Sequence, residues 1–161
     1  MKAWVLLLKR RGTGSKLKHE IEQIVGSSVY RTLGPYSVVA EIRSTNQEMQ
    51  EQTIGAIRNL SHLIASTNTL ISNHPMPEEP KLFLNQDKVL CFSFIEADLD
   101  QTYRIQKMFI ETEGVICADQ VYGSYDLVVK ISGKSLSHIG KILDTAKDSG
   151  GINRSTTMIA F

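Results

Sequence analysis

The sequence predicts an α+β protein in which one strand-helix-strand-strand-helix-strand unit occurs twice in tandem. The first observation is an internal repeat: residues 34–42 return as residues 123–131, and Ser66-Thr67 returns as Ser155-Thr156. Both pairs are offset by 89 residues, since 123 − 34 = 89 and 155 − 66 = 89. The second observation is that hydrophobic residues follow the same order of helical and strand patterns in both halves. A duplicated fold explains a spacing that is kept without gaps.

A proline-rich seam separates the two repeats. Pro75, Pro77 and Pro80 all fall within residues 73–80. Such a density of proline favours an extended spacer and excludes a continuing helix or central strand. We therefore place the first repeat at residues 1–73, the linker at 74–86 and the second repeat at 87–161.

The first repeat is predicted to contain four strands and two helices. The strands are residues 2–8, 28–32, 37–42 and 67–72, with a turn between the second and third at Leu33-Gly34-Pro35. One helix is indicated by apolar residues at helical spacing, with Thr13 or Ser15 as its N-cap: Leu17, Ile21, Ile24 and Val25. The second helix is indicated by Met49, Thr53, Ile57 and Leu60, which also recur at helical spacing.

The second repeat has the same predicted order. Its strands are residues 89–95, 116–121, 126–131 and 155–161. Its helices are marked by two apolar stripes, which are Ile105, Met108, Phe109 and Thr112, then Leu136, Ile139, Leu143 and Ala146. This order is that of the ferredoxin-like βαββαβ fold, an antiparallel sheet with both helices on one face.

The strands are apolar on both faces, which predicts that the sheets stack. Ala3, Val5 and Leu7 point to one side of the first strand, while Trp4 and Leu6 point to the other. Helices cover only one face of such a sheet, and soluble proteins avoid leaving a large apolar surface in water. We expect the free faces to meet, either within the chain or between chains, so self-association is part of the prediction.

The second repeat resembles the ligand-binding (RAM) domain of the Lrp/AsnC family of regulators. Three separated motifs carry the resemblance, namely residues 113–115, 121–130 and 151–159. The first repeat matches more weakly, through Gly34-Pro35-Tyr36 and Ser66-Thr67. It has Ser37 where the family pattern has an aspartate, which the second repeat keeps as Asp126.

The resemblance implies a module that binds an amino acid or a related metabolite and assembles into homo-oligomers. Transferred from the family motif, the candidate ligand-binding residues are Gly123, Ser124, Tyr125, Asp126, Ser155 and Thr156. Asp126 would pair with an α-ammonium group, while turn N–H groups and hydroxyls would hold a carboxylate. In the alternative interpretation, Gly123 and Tyr125 only shape a tight hairpin and Asp126 caps it.

The net charge and the length of the chain indicate which partners it can bind. The chain has 18 Lys and Arg against 17 Asp and Glu, a net charge of +1, which gives no overall field to hold nucleic acid or an anionic membrane. The first strand begins at Lys2 and leaves no room for a helix-turn-helix domain, so we expect no direct specific DNA binding. Regulation would then require co-assembly with a full-length Lrp/AsnC relative. The apolar run at residues 3–8 is too short to span a bilayer, which predicts a cytoplasmic protein.

The sequence shows no catalytic, metal or cofactor motif. His19, His62, His74 and His138 have no metal-ligand spacing, and Cys91 and Cys117 fit small buried residues. We therefore expect no metal, no cofactor and no enzymatic activity. Two alternatives stay open. One is an enzyme of the dimeric α+β barrel kind, which needs inward-facing polar residues, and the other is a structural interaction domain without a ligand.

Overall fold

The computed structural model describes residues 1–74 and 88–161, and it divides the chain into two compact units. The first module comprises Met1–Ser72 with Phe161, and the second comprises Asn73–Ala160. Residues 75–86 of the predicted linker lie outside the described residues. Each module is described below by itself.

The first module has the predicted element order. Its elements are β1 (Lys2–Lys9), α1 (Gly14–Val25), β2 (Val29–Leu33), β3 (Val38–Arg43), α2 (Gln47–Arg58) and β4 (Ile64–His74). β1 is central and pairs with β3 on one side and β4 on the other, and β2 pairs with β3. All of these pairings are antiparallel, as a βαββαβ sheet requires.

The second module repeats this topology. Its elements are β5 (Val89–Ala97), α3 (Thr102–Ile110), β6 (Val115–Tyr122), β7 (Leu127–Gly133), α4 (Leu136–Asp148) and β8 (Ile152–Ala160). β5 is central between β7 and β8, and β6 pairs with β7, again antiparallel throughout. The predicted fold class, α+β with two ferredoxin-like modules, is confirmed.

A hydrophobic core lies between the sheet and the helices of each module. In the first, Leu17 and Ile21 of α1 and Ile54 and Ile57 of α2 are buried, in one cluster with the β1 residues Ala3, Val5 and Leu7. In the second, the corresponding cluster includes Ile105 and Phe109 of α3 and Ile139, Leu143 and Ala146 of α4. Burial of one helical stripe against one sheet face is what stabilises helices of this length.

Two residues of the predicted helical stripes are on the surface instead. Met49 is 49% exposed and Leu136 is 52% exposed. On α2 the buried stripe is Gln50, Ile54 and Ile57, which turns Met49 outward. Leu136 is the first residue of α4, before the helix packs on the sheet.

The helix caps repeat at the same offset as the sequence. Asn46 accepts a hydrogen bond from Met49 N at 2.9 Å, and Ser135 accepts one from His138 N at 3.1 Å. Each begins the second helix of its module. Thr13 occupies the N-cap position of α1 as predicted, but its hydroxyl donates to Arg10 O at 2.7 Å and does not cap the helix.

The sheet face opposite the helices is buried as well. Trp4 and Leu6 in β1, and Phe92 and Phe94 in β5, are fully buried although they lie outside the helix-side clusters. Cys91 and Cys117 are also buried, and burial raises the pKa of the Cys91 thiol. In the part of the chain that the structure describes, no helix is both long and apolar enough to cross a membrane.

Candidate functional site

The turn between β6 and β7 holds four of the six predicted site residues. Gly123 has φ of 143°, a backbone conformation that favours glycine, and it is exposed together with Ser124. Tyr125 is only 8% exposed, with its ring centroid 5.5 Å from that of Phe94. This aromatic contact fixes the turn from beneath, so the exposed backbone around Gly123 and Ser124 has a defined position.

Asp126 is half-buried and ties the turn to the end of β5. Its N–H donates to Ile95 O at 2.8 Å, and its carboxylate Oδ2 accepts from Ala97 N at 2.8 Å. Ala97 follows a register shift between β5 and β8, which frees its N–H for this bond. Among the described residues, the second carboxylate oxygen, Oδ1, has no hydrogen-bond partner. That oxygen can accept a donor from a ligand.

The first module makes the same turn without a carboxylate. Ser37 N donates to Leu7 O at 2.8 Å, and Ser37 Oγ accepts from Lys9 N at 3.4 Å. A serine hydroxyl therefore meets the structural need at this position. The interpretation of Asp126 as a cap explains the hydrogen bond that its Oδ2 accepts. It does not explain why the second module has a charged carboxylate where a serine hydroxyl would serve.

The structure does not bring Ser155 and Thr156 to this turn. They lie on β8 opposite Ile95 and Phe94, and β5 separates β8 from β7. Two strand spacings amount to about 10 Å. The four turn residues are adjacent to one another, and the two β8 residues lie beyond the reach of a head group held by Asp126.

Sequence reasoning missed a buried charged cluster in the first module. Lys2 and Glu41 are 4% and 3% exposed, and Lys2 Nζ lies 3.4 Å from Glu41 Oε1. Arg43 also contacts Glu41 Oε1, at 2.6 Å, and Lys2 Nζ lies 4.7 Å from the centroid of the Trp4 ring. The signal was present in the sequence, because these charges fall on the Trp4 side of β1 and β3.

The second module also carries buried charges away from its helices. Asp119 is fully buried on β6, and Lys130 is 9% exposed on β7. Lys130 pairs with Cys117 and Asp119 pairs with Val128, so the two charged residues are diagonal neighbours on one face. Buried ionisable groups are frequent at functional sites. In residues 1–74 and 88–161, no three His, Cys, Asp or Glu side chains are grouped to hold a metal ion.

Comparisons with known proteins show the fold. No family model and no curated protein matches the chain. The siroheme decarboxylase NirDL is 11% identical to this chain, and the match covers 99% of this chain and 71% of the decarboxylase chain, with a TM-score of 0.71. A mutant chlorite dismutase from Candidatus Nitrospira defluvii is 12% identical over 99% of this chain and 90% of its own, with a TM-score of 0.56.

A shorter protein matches less than half of the chain. FFRP-DM1 is 26% identical and covers 45% of this chain and 99% of its own, with a TM-score of 0.43.

The prediction that the chain is not an enzyme is wrong. It rested on the absence of catalytic motifs and on strand faces that showed few inward polar residues. A decarboxylase and a dismutase have the same fold. The faces away from the helices carry the buried charges of Lys2, Glu41, Asp119 and Lys130. At 11–12% identity the likeness shows the fold and not the reaction.

Proposed function

We propose that the second module binds an amino acid or a related small metabolite at the turn formed by residues 123–126, and that the chain assembles with itself. The observation that supports this most strongly is the carboxylate of Asp126. One oxygen is fixed by Ala97 N at 2.8 Å, and the other has no hydrogen-bond partner among the described residues. A carboxylate held in this way is preorganised for a cationic group.

The chemistry suits a zwitterion. An α-ammonium group would donate to Asp126 Oδ1, and the backbone N–H of Gly123, an exposed residue of the turn, would donate to the α-carboxylate. The substitution by Ser37 predicts that the first module does not bind the same ligand. One site per chain follows.

Self-assembly is proposed on the same part of the module. Tyr122, next to the turn, is 66% exposed, and exposed tyrosines are frequent anchors of protein interfaces. The Lrp/AsnC resemblance implies ligand sites at contacts between dimers, and partners that include a second copy or a full-length regulator. Ligand binding at this turn would then change the affinity between copies.

Asp126→Ser tests the site, because it copies the residue that the first module uses at this position. We expect the variant to keep its hairpin and to lose amino-acid binding by about tenfold or more, which corresponds to the loss of a charge-assisted hydrogen bond. The measurement is a thermal-shift screen of the amino acids on the wild-type protein, followed by calorimetric titration of each amino acid that stabilises it.

Ser37→Asp is the matched control, since it adds a carboxylate to the corresponding turn of the first module. It should leave the affinity of the second module unchanged. Equal affinity in the wild type and Asp126→Ser would contradict the proposal. So would a screen in which no amino acid stabilises the wild type at millimolar concentration.

An enzyme of the α+β barrel kind is the second candidate. The observation that favours it is the pair of Asp119 and Lys130, a buried carboxylate and a buried amine on one sheet face. Groups of opposite charge in a desolvated setting can act as acid and base. In this case the ligand of the turn would be a regulator or a substrate.

A further inference from the structure

A cavity in the second module lies at the far end of the β6–β7 hairpin from the turn at residues 123–126. Its volume is about 120 Å³. It lies where β6 starts, β7 ends and α4 begins, and its lining includes Lys88, Glu113, Ile116, Lys134 and His138. β6 has 8 residues, so the cavity and the turn are roughly 25 Å apart. The two places cannot share one small ligand.

The backbone around this cavity is specially shaped. The β6–β7 register shifts between Val115 and Cys117, so Ile116 has no partner on β7 and lines the cavity. Gly114 has φ of 95°, and a Cβ there would lie 2.9 Å from Ser132 O, so this position requires glycine. Bulges of this kind redirect side chains and are frequent beside binding sites.

The lining is basic and belongs to the second module alone. Lys134 lies just before the N-terminus of α4 and His138 lies in its first turn, and the partial positive charge of the helix N-terminus adds to that of the lysine. At the same offset of 89 residues the first module has Thr45 and Met49. The shared fold therefore does not need a lysine and a histidine at these positions.

A second cavity lies along the same helix. Its volume is about 250 Å³, and its apolar lining comes from Met108, Phe109, Ile142 and Ala146, while Thr112, Thr145 and the cation Lys141 also border it. His138 borders both cavities. A cavity of about 150 Å³ is enough for a benzene ring. The two cavities together offer a basic end beside Lys134 and a more apolar end beside Phe109 and Ile142, with the imidazole of His138 between them.

We propose that this pair of cavities binds an organic monoanion with an apolar body, such as an aryl carboxylate. The carboxylate would lie against Lys134, His138 and the first turn of α4, and the ring would enter the second cavity. Glu113 is exposed at the rim of the first cavity, and its negative charge weakens the binding of an anion. The site is separate from the one proposed at Asp126.

The test uses sodium benzoate as the probe and benzyl alcohol as its neutral counterpart. We expect benzoate to bind in the millimolar range and to shift the backbone amide resonances of Gly114 and Ser132, and benzyl alcohol to bind at least about tenfold more weakly. The double variant Lys134→Thr with His138→Met copies the first module and should weaken benzoate binding by about tenfold or more. Glu113→Gln should strengthen it.

Two controls make the outcome decisive. Lys147→Thr removes an exposed charge from the last turn of α4, and Asp126→Ser alters only the other proposed site. Both should bind benzoate as the wild type does, so the failure of either proposal can be told from the failure of the other. The proposal is overturned if benzoate does not bind, if benzyl alcohol binds equally well, or if the double variant keeps the wild-type affinity.

Discussion

Replacing Glu41 with Gln is expected to lower the free energy of unfolding by about 3–5 kcal/mol. The side chains of Lys2 and Glu41 are 5% and 2% exposed, with 3.4 Å between Nζ and Oε1. The substitution keeps the shape of the side chain and removes the charge. It removes the carboxylate that faces the buried Lys2 ammonium and also contacts Arg43, and the surrounding protein solvates the Lys2 charge poorly. Urea denaturation of the wild type and the variant measures the difference.

The double variant Lys2→Met with Glu41→Leu separates the cost of removing one charge from the net contribution of the ion pair to stability. Because a buried ion pair gains little over apolar residues of similar volume, this variant should recover most of the lost stability. Glu51→Gln is the control, since Glu51 is exposed on α2, and it should change stability by less than about 0.5 kcal/mol. A loss below about 1 kcal/mol for Glu41→Gln would show that the pair is solvated and would contradict its burial.

Phe109→Ala is expected to destabilise the protein by about 3–5 kcal/mol. Phe109 is 1% exposed on α3 and belongs to the core cluster with Ile105, Ile139 and Leu143. Removing its ring leaves a cavity that the rigid sheet beneath the helix cannot fill, and the lost contacts are with both α4 and the sheet.

Tyr103→Ala on the same helix is the matched control. Tyr103 is 72% exposed, so its removal should cost less than about 1 kcal/mol. Urea denaturation gives the free energy of unfolding of both variants, and the dependence of that free energy on urea concentration shows whether the unfolded state has changed as well. Similar losses for the two variants would contradict the orientation of α3 on the sheet.

The element order could be predicted from the sequence because each element buries one face. Leu17 and Ile21 follow the helical period, and Ala3 and Val5 the strand period. The duplication also predicted strands in the second repeat from the first. Positions at helix ends were harder. Met49 lies in the first turn of α2, where apolar spacing does not say which residues contact the sheet.

The site was only partly predictable. The turn at residues 123–126 followed from a resemblance, and the structure adds that Asp126 uses one oxygen for the fold and leaves the other open. The separation of Ser155 from that turn depends on β5 being the central strand, which sequence spacing does not reveal. The ion pair between Lys2 and Glu41 could not be predicted, because it depends on the register between β1 and β3, which are distant in sequence.

The error about enzymatic activity has a physical origin. The strands read as apolar on both faces, which predicted few polar groups facing inward. Glu41 and Asp119 are instead buried within those strands. A charged residue at a position that alternation assigns to a buried face is the signal that would have corrected the prediction.

The most direct test of ligand binding at the turn is a map of backbone amide shifts on titration with the amino acid that stabilises the protein most. We expect the largest changes at Gly123, Ser124, Asp126 and Ala97, because the ligand and the carboxylate share one hydrogen-bond network. The corresponding turn of the first module, around Ser37, should not change. Shifts that centre on Ser37 or on the helices, with residues 123–126 unaffected, would contradict the account.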